Sequence, residues 1–254
     1  MSERTRVRLD EALVLRRLAP SRSRARDMVK RGTVSVDGAT EAKPARLVEP
    51  EQTIVVHDPA ARYVSRAALK LIAGLEAFGF EPAGETVLDL GASAGGFTQV
   101  LLERGAEHVI AVDVGHGEMD ASLLDDQRVT LIEGLNARDL RREHLGGRKI
   151  GAIVADLSFI SLKLALPPAL GLTEPRAWCV LLVKPQFEVG RRALAKDGVI
   201  RDPEVARAAA ENIAAWIEGE KDWQFVGLVP SPITGGSGNR ELLLGARKAP
   251  SDDA

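Results

Sequence analysis

The stretch Thr86-Val-Leu-Asp-Leu-Gly-Ala-Ser-Ala-Gly-Gly-Phe-Thr98 decides the fold. Thr86 to Leu90 reads as an apolar strand, Gly91 to Gly96 as a glycine-rich loop, and Phe97-Thr-Gln-Val-Leu-Leu102 as the opening of a helix. Glycines let such a loop bring its backbone close to a ligand at a helix N-terminus. Strands follow at His108–Val112, Val129–Ile132, Gly151–Ala155 and Ala177–Val183, and a helix starts at Pro203 behind an Asp202 cap. Its inner stripe is Val205, Ala209, Ile213, Trp216 and Ile217, and Phe225–Val229 and Glu241–Leu244 close the sheet. Alternation of this kind means a doubly wound α/β domain, which binds ligands beyond the carboxyl ends of its strands. Asp113, Asp156 and Lys184 all fall at such ends.

The loop is neither Gly-x-Gly-x-x-Gly nor a phosphate loop ending in Gly-Lys-Ser/Thr. Asp113, 22 residues beyond Gly91, can accept hydrogen bonds from both hydroxyls of a ribose. This layout suits NAD or S-adenosylmethionine. Upstream, Tyr63–Leu71 reads as a helix capped by Ser65, with Arg66 and Lys70 one turn apart. Stacked like charges cost stability, which invites a functional reading.

The N-terminus differs in charge. The whole chain of 254 residues carries 34 Lys and Arg against 36 Asp and Glu, a net −2 that speaks against nucleic acid if taken as a total. Residues 1–31 hold ten basic and four acidic residues, a balance of +6, and the remainder carries −8. Leu9, Leu13 and Leu18 mark a short helix ended by Pro20, and Ser21 caps a second that stops at Gly32. Ala25, Met28 and Val29 form the inner face of the second, crowded by Arg22, Arg24, Arg26, Lys30 and Arg31. Thr33-Val-Ser-Val36, a turn at Asp37-Gly38 and Ile54-Val-Val56 make a small sheet. The loop-like His57–Arg62 separates this module from the α/β part.

The single cysteine, Cys179, sits in a core-strand pattern and excludes an intrachain disulfide, which suits a reducing cytoplasm. Four histidines without ligand spacing argue against a metal site, and no apolar run reaches membrane-span length. The basic start lacks the apolar segment of a signal peptide.

Two resemblances sharpen these readings. Arg8-Leu-Asp-Glu-Ala-Leu13, Ser21-Arg-Ser-Arg-Ala-Arg26, Val34-Ser-Val-Asp-Gly38 and Lys43-Pro44 resemble the S4 RNA-binding module. Leu88–Thr98 resembles the first motif of the FtsJ-related methyltransferases. The chain as a whole resembles the TlyA (hemolysin A) family, which joins the two. Further matching runs are Tyr63–Arg66, Ala111–Gly115, Asp156–Ser161, Val183–Gly190 and Ser231–Glu241. The expected fold is a Rossmann-like class I methyltransferase domain behind a small α+β S4-like domain. The boundaries are 1–58 for the S4-like domain, 59–64 for a linker, 65–249 for the methyltransferase domain and 250–254 for a disordered tail. The sequence departs from the family at Ala67-Ala68 and Ala94, which puts close backbone approach and one hydroxyl contact in question.

The resemblance implies a Lys-Asp-Lys-Glu set for methylating a ribose 2′-hydroxyl, falling on Lys70, Asp156, Lys184 and Glu241. Methyl transfer from a sulfonium needs alignment of acceptor, methyl and sulfur, and a weakly acidic hydroxyl proton must be removed or polarised. A lysine does this if a second lysine and partial burial disfavour its charged form, so Lys184 is expected as the central group, tuned by Lys70. The cofactor, S-adenosyl-L-methionine, is expected at Gly91, Ala92, Ser93, Gly95, Gly96, Phe97, Asp113, Asn136 and Asp156, with Asn136 suggested by resemblance and location alone. RNA is expected at Arg6, Arg22, Arg24, Arg26, Lys30, Arg31 and Arg66, with salt-sensitive binding through the arginines of residues 4–31. The implied substrate is ribosomal RNA, at cytidine. Rival readings are a base N-methyltransferase, for which Asp156-Leu-Ser-Phe159 lacks the paired prolines, and a non-catalytic ribosome-assembly factor. A membrane-lytic protein would need a span or a long basic amphipathic helix.

Overall fold

The computed structural model describes residues 6–190, 194–195, 197–236 and 238–250. Arg4 and residues 251–254 of the expected tail lie outside them. The chain divides into two units, Met1–Ala61 and Arg62–Ala254.

In the first unit, β1 (Val7–Arg8) leads into α1 (Leu9–Leu15) and α2 (Arg22–Lys30). The helix α1 ends before Leu18, because the chain turns back at Arg17, whose φ is 58°. The Ser21 hydroxyl accepts from the Arg24 N–H and caps α2 as expected. Strands β2 (Val34–Val36) and β3 (Ala39–Thr40) form a two-residue hairpin across Asp37 and Gly38. Both turn residues have positive φ, which matches the twist of the flanking strands. Then come β4 (Leu47–Val48), paired with β1, and β5 (Ile54–Val56), paired with β2. Leu9, Leu13, Ala25, Met28, Val29, Val34 and Val36 make this unit's own core.

The second unit begins with α3 (Ala68–Phe78), two residues later than the Ser65 cap predicts. Ser65 Oγ instead accepts from the Ala67 N–H in the turn before the helix, so Arg66 lies outside α3, half-buried. There follow β6 (Thr86–Leu90), α4 (Gly96–Glu103), β7 (His108–Val112), α5 (Ala121–Leu124), β8 (Val129–Ile132) and β9 (Ile150–Ala155). After them come α6 (Leu162–Ala165), α7 (Pro167–Gly171), β10 (Thr173–Val183) and α8 (Pro185–Glu188). The chain closes with α9 (Pro203–Gly219), β11 (Trp223–Pro230) and β12 (Leu242–Lys248). Asp202 caps α9 through the Glu204 N–H, with Pro203 at its first position.

The sheet runs β11-β12-β10-β9-β6-β7-β8. Five strands are parallel, and β11 and β12 add an antiparallel edge. Alternate residues face opposite sides. Leu88 and Leu90 join one core and Val87 the other. Cys179 is fully buried, and burial pushes its thiol up, out of nucleophilic range. The chain winds outward from β6 to β8 and returns to place β9 on the other side of β6. A crevice at that reversal is the usual ligand position in such sheets. Among the described residues no helix is long and apolar enough to cross a membrane.

Candidate active site

Residues from four separate elements meet above the carboxyl ends of β6, β9 and β10. Lys70 comes from the first turn of α3, Asp156 from the end of β9, Lys184 from the end of β10, and Glu241 immediately precedes β12 rather than beginning it. They form one chain of alternating charge. Glu241 Oε2 lies 2.6 Å from Lys70 Nζ, Lys70 Nζ lies 3.8 Å from Asp156 Oδ2, and Asp156 Oδ1 lies 2.6 Å from Lys184 Nζ. Lys70, Lys184 and Glu241 are buried and Asp156 is nearly so. The two lysines are therefore separated by a carboxylate and do not face each other directly. Lys184 Nζ also donates to Ser158 Oγ at 2.7 Å.

Lys184 and Ser158 line two clefts at once. The first, of about 220 Å³, is walled by Ser65, Ala67, Gly91, Ala92, Ser93, Gly96, Phe97 and Asp156. The second, of about 320 Å³, is walled by Phe159, Gln186, Phe187, Asn239 and Glu241 among others. The first contains most of the expected cofactor residues. Gly91 has φ 81°, and a Cβ there would sit 2.8 Å from the Asp156 carbonyl oxygen, so this glycine lets the loop pass tightly over the end of β9. Gly95 has φ 91° and would drive a Cβ to within 2.2 Å of Leu123 Cδ1. Its demand is packing inside the protein, not close approach to a ligand. Both Asp113 oxygens are engaged at 2.8 Å, by the Ser93 and Gly115 N–H groups, which fixes the carboxylate next to the loop. Asn136 caps a short 3₁₀ turn after β8 through the Arg138 N–H and is outside the cleft lining.

Several participants received no site role from the sequence. Ser158, two residues past Asp156, lies inside the matching run Asp156–Ser161, but nothing in that run pointed it at Lys184. Phe159 is 90% exposed with φ 65°, its ring 5.1 Å from that of Phe187. A bulky residue in left-handed backbone, bare to solvent beside Lys184, is an outlier of the kind that marks ligand contacts. Behind the loop, Asp89 is fully buried, accepts from Thr98 Oγ1 at 2.6 Å through Oδ2, and has no partner for Oδ1. Burial, reinforced by the charges of Asp156 and Asp113, pushes its carboxyl up to about 7. Among the described residues no group of three or more His, Cys, Asp or Glu side chains is arranged to hold a metal ion.

The expected RNA-binding arginines separate into two kinds. Arg31 turns inward: its guanidinium meets Asp58 at 2.6 Å and Asp27 at 2.8 Å and is only 13% exposed. That correction removes it from the solvent-facing set, because both sides of its fork are spent within the fold. Arg6 meets Glu49 at 2.8 Å, and Arg24 donates to the Ala60 carbonyl at 3.2 Å. Arg22 and Arg26 remain about half exposed, and Lys30 is exposed.

Comparison with known proteins bears on both units. Residues 63–248 match the FtsJ-like methyltransferase model and residues 7–54 the S4 domain model. The 16S/23S rRNA (cytidine-2′-O)-methyltransferase TlyA of Mycobacterium tuberculosis is 46% identical over 95% of this chain and 90% of its own. Hemolysin A of Brachyspira hyodysenteriae is 36% identical over 93% of this chain and 98% of its own. A solved hemolysin-labelled structure from Streptococcus thermophilus superposes with a TM-score of 0.75 at 32% identity, over 99% of this chain and 92% of that one.

Proposed function

The chain belongs to the TlyA family of FtsJ-like methyltransferases, and from that footing we propose that it transfers a methyl group from S-adenosylmethionine to the 2′-hydroxyl of a cytidine in ribosomal RNA. One observation carries the reading: Lys184, at the inner end of the alternating charge chain, faces both clefts. A group that must meet donor and acceptor together belongs at such a junction.

The first cleft fits the donor. Its floor is loop backbone at a helix N-terminus, and beside it the fixed Asp113 carboxylate retains lone pairs for ribose hydroxyls. The sulfonium, when bound, supplies an electrophilic methyl group. The second cleft suits the acceptor nucleoside, because the bare face of Phe159 offers a stacking platform for a base. Lys184 then meets the acceptor hydroxyl and takes or polarises its proton, steadied by Asp156 and Ser158. Lys70, itself held by Glu241, faces Asp156 from the other side. The 2′ oxygen gains the methyl carbon as the carbon–sulfur bond breaks. A base N-methyltransferase would leave both buried lysines without a task.

The S4 unit supplies the docking surface for ribosomal RNA or a ribosomal subunit, which places the work in the cytoplasm. Nuclease digestion and mass spectrometry of rRNA incubated with the protein and donor test the whole reading. A 2′-O-methylcytidine absent from the untreated RNA is expected. A base-methylated nucleoside, or none, would overturn it.

A further inference from the structure

Asp10, in the first turn of α1, is 0% exposed, yet three arginines converge on it from the surface. Arg8 grips the carboxylate at two points, Nε to Oδ1 and Nη2 to Oδ2, both 3.0 Å. Arg26 Nε donates to Oδ2 at 2.8 Å, and Arg22 Nη2 stands 3.6 Å from Oδ1. The three arginine side chains nevertheless stay 38%, 50% and 48% exposed respectively. The Arg8 hydrogen bond, ahead of the Arg26 bond, holds the Asp10 carboxyl well below the usual carboxylate range.

A buried carboxylate that needed only neutralisation would be served by one arginine. Three positive charges on one negative leave a local excess, and Arg22 and Arg26 lie one turn apart on α2, where like charges repel. Glu11 acts on Arg8 from the same turn. Each guanidinium carries five N–H donors. Arg26 spends only Nε on Asp10 and Arg22 approaches through a single Nη2, so most of both forks is left to solvent. Two other arginines of this unit are spent within the fold. Arg31 is shared between two carboxylates, and Arg16 donates to the backbone carbonyls of Glu49, Pro50 and Gln52. The Asp10 group is built differently, with arginines oriented while most of their N–H donors stay unspent.

We propose that Asp10 is a positioning residue for RNA binding: it sets Arg8, Arg22 and Arg26 in a fixed fan whose remaining N–H donors take phosphate oxygens of the RNA backbone. A planar fork meets a phosphate at two points, which a lysine cannot do. Orienting the long side chains before contact removes part of the ordering cost of binding. The inference rests on the RNA-directed function proposed above.

Asp10→Asn gives a test in which two explanations predict opposite signs. The change removes a negative charge from the unit, so attraction by net charge alone predicts tighter binding of the full-length protein to an rRNA transcript. Positioning predicts binding at least fivefold weaker, with KM for RNA raised and kcat at saturating RNA kept. Unchanged or tighter binding by a folded variant overturns the proposal. Because Asp10 is buried, Arg22→Lys and Arg26→Lys provide a second arm that keeps both charge and core. Each should weaken binding severalfold at an unchanged melting temperature, and wild-type affinity in both would equally overturn the proposal. A wild-type chain that binds no rRNA would defeat the RNA reading itself, an outcome distinct from wild-type binding that the variants leave intact.

Discussion

The two units use the same ingredients, carboxylates holding cations, to opposite ends. Around Asp10 one buried acid holds three arginines that stay about half in water. Around Asp156 two acids and two lysines alternate, with every side chain at most 15% exposed. The first arrangement keeps a surplus of positive charge at a surface where salt can screen it. The second is balanced within itself and shielded, so salt screens it much less. The contrast teaches that burial and balance, more than residue type, separate the proposed docking surface from the proposed reaction centre.

Lys184→Ala should break the contrast most strongly. Methyl transfer should fall by about 10²-fold or more, the usual contribution of a positioned acid–base group, while rRNA affinity stays within a factor of two. A comparable loss of affinity would mean that docking and chemistry are not divided between the units. Next, Glu241→Ala leaves the buried Lys70 with only Asp156, 3.8 Å away. Loss of one partner from a buried pair costs about 3 kcal/mol, read by denaturant unfolding. The exposed pair Arg207–Glu211, also 2.8 Å or less apart, should lose no more than about 0.5 kcal/mol on Glu211→Ala. Equal costs would show that the site gains nothing from its shielding. Third, raising salt from about 50 to 200 mM should weaken rRNA binding by roughly tenfold or more, if only three phosphate contacts release counterions. Binding of the donor, followed by calorimetry, should barely respond.

Much of this contrast was legible in residue order. The glycine loop, the acids and lysine at strand ends, the Ser21 and Asp202 caps and the charge split all depend on neighbours a few residues apart. What escaped depends on distant partners. Arg31 reads as one more arginine on a basic helix until Asp58 folds back onto it across 27 residues. The mutual separation of Lys70 and Lys184 by Asp156 is set by three elements that only the sheet order brings together. Proximity of the lysines follows from the shared motif set, but nothing in residue order puts the acid between them. Ser158 and the bare ring of Phe159 depend on how one loop leaves β9, which no periodicity reports.

Asp89 offers the finest probe, because it is a shielded acid without a cation. Its carboxyl, at 3.8 in an unperturbed chain, is pushed up to about 7. Between those values the native state keeps a proton that the unfolded chain has released. This group's stabilisation is therefore complete below about pH 4, drains away as pH rises toward 7, and levels off above it. At its steepest the loss is about 1.4 kcal/mol per pH unit, or roughly 3–5 °C in melting temperature for a domain of this size. Asp89→Asn keeps the shape and cannot titrate. The variant-minus-wild-type difference in melting temperature should therefore climb from pH 5 to 7 and then flatten, with the variant the more stable at pH 8. Thr98 Oγ1 can still donate to the amide oxygen, so the hydrogen bond to α4 survives the change. A difference that stays level across this range would show that Asp89 carries its charge at no cost, and that burial in this unit needs the cations around Asp156 less than the contrast with Asp10 implies.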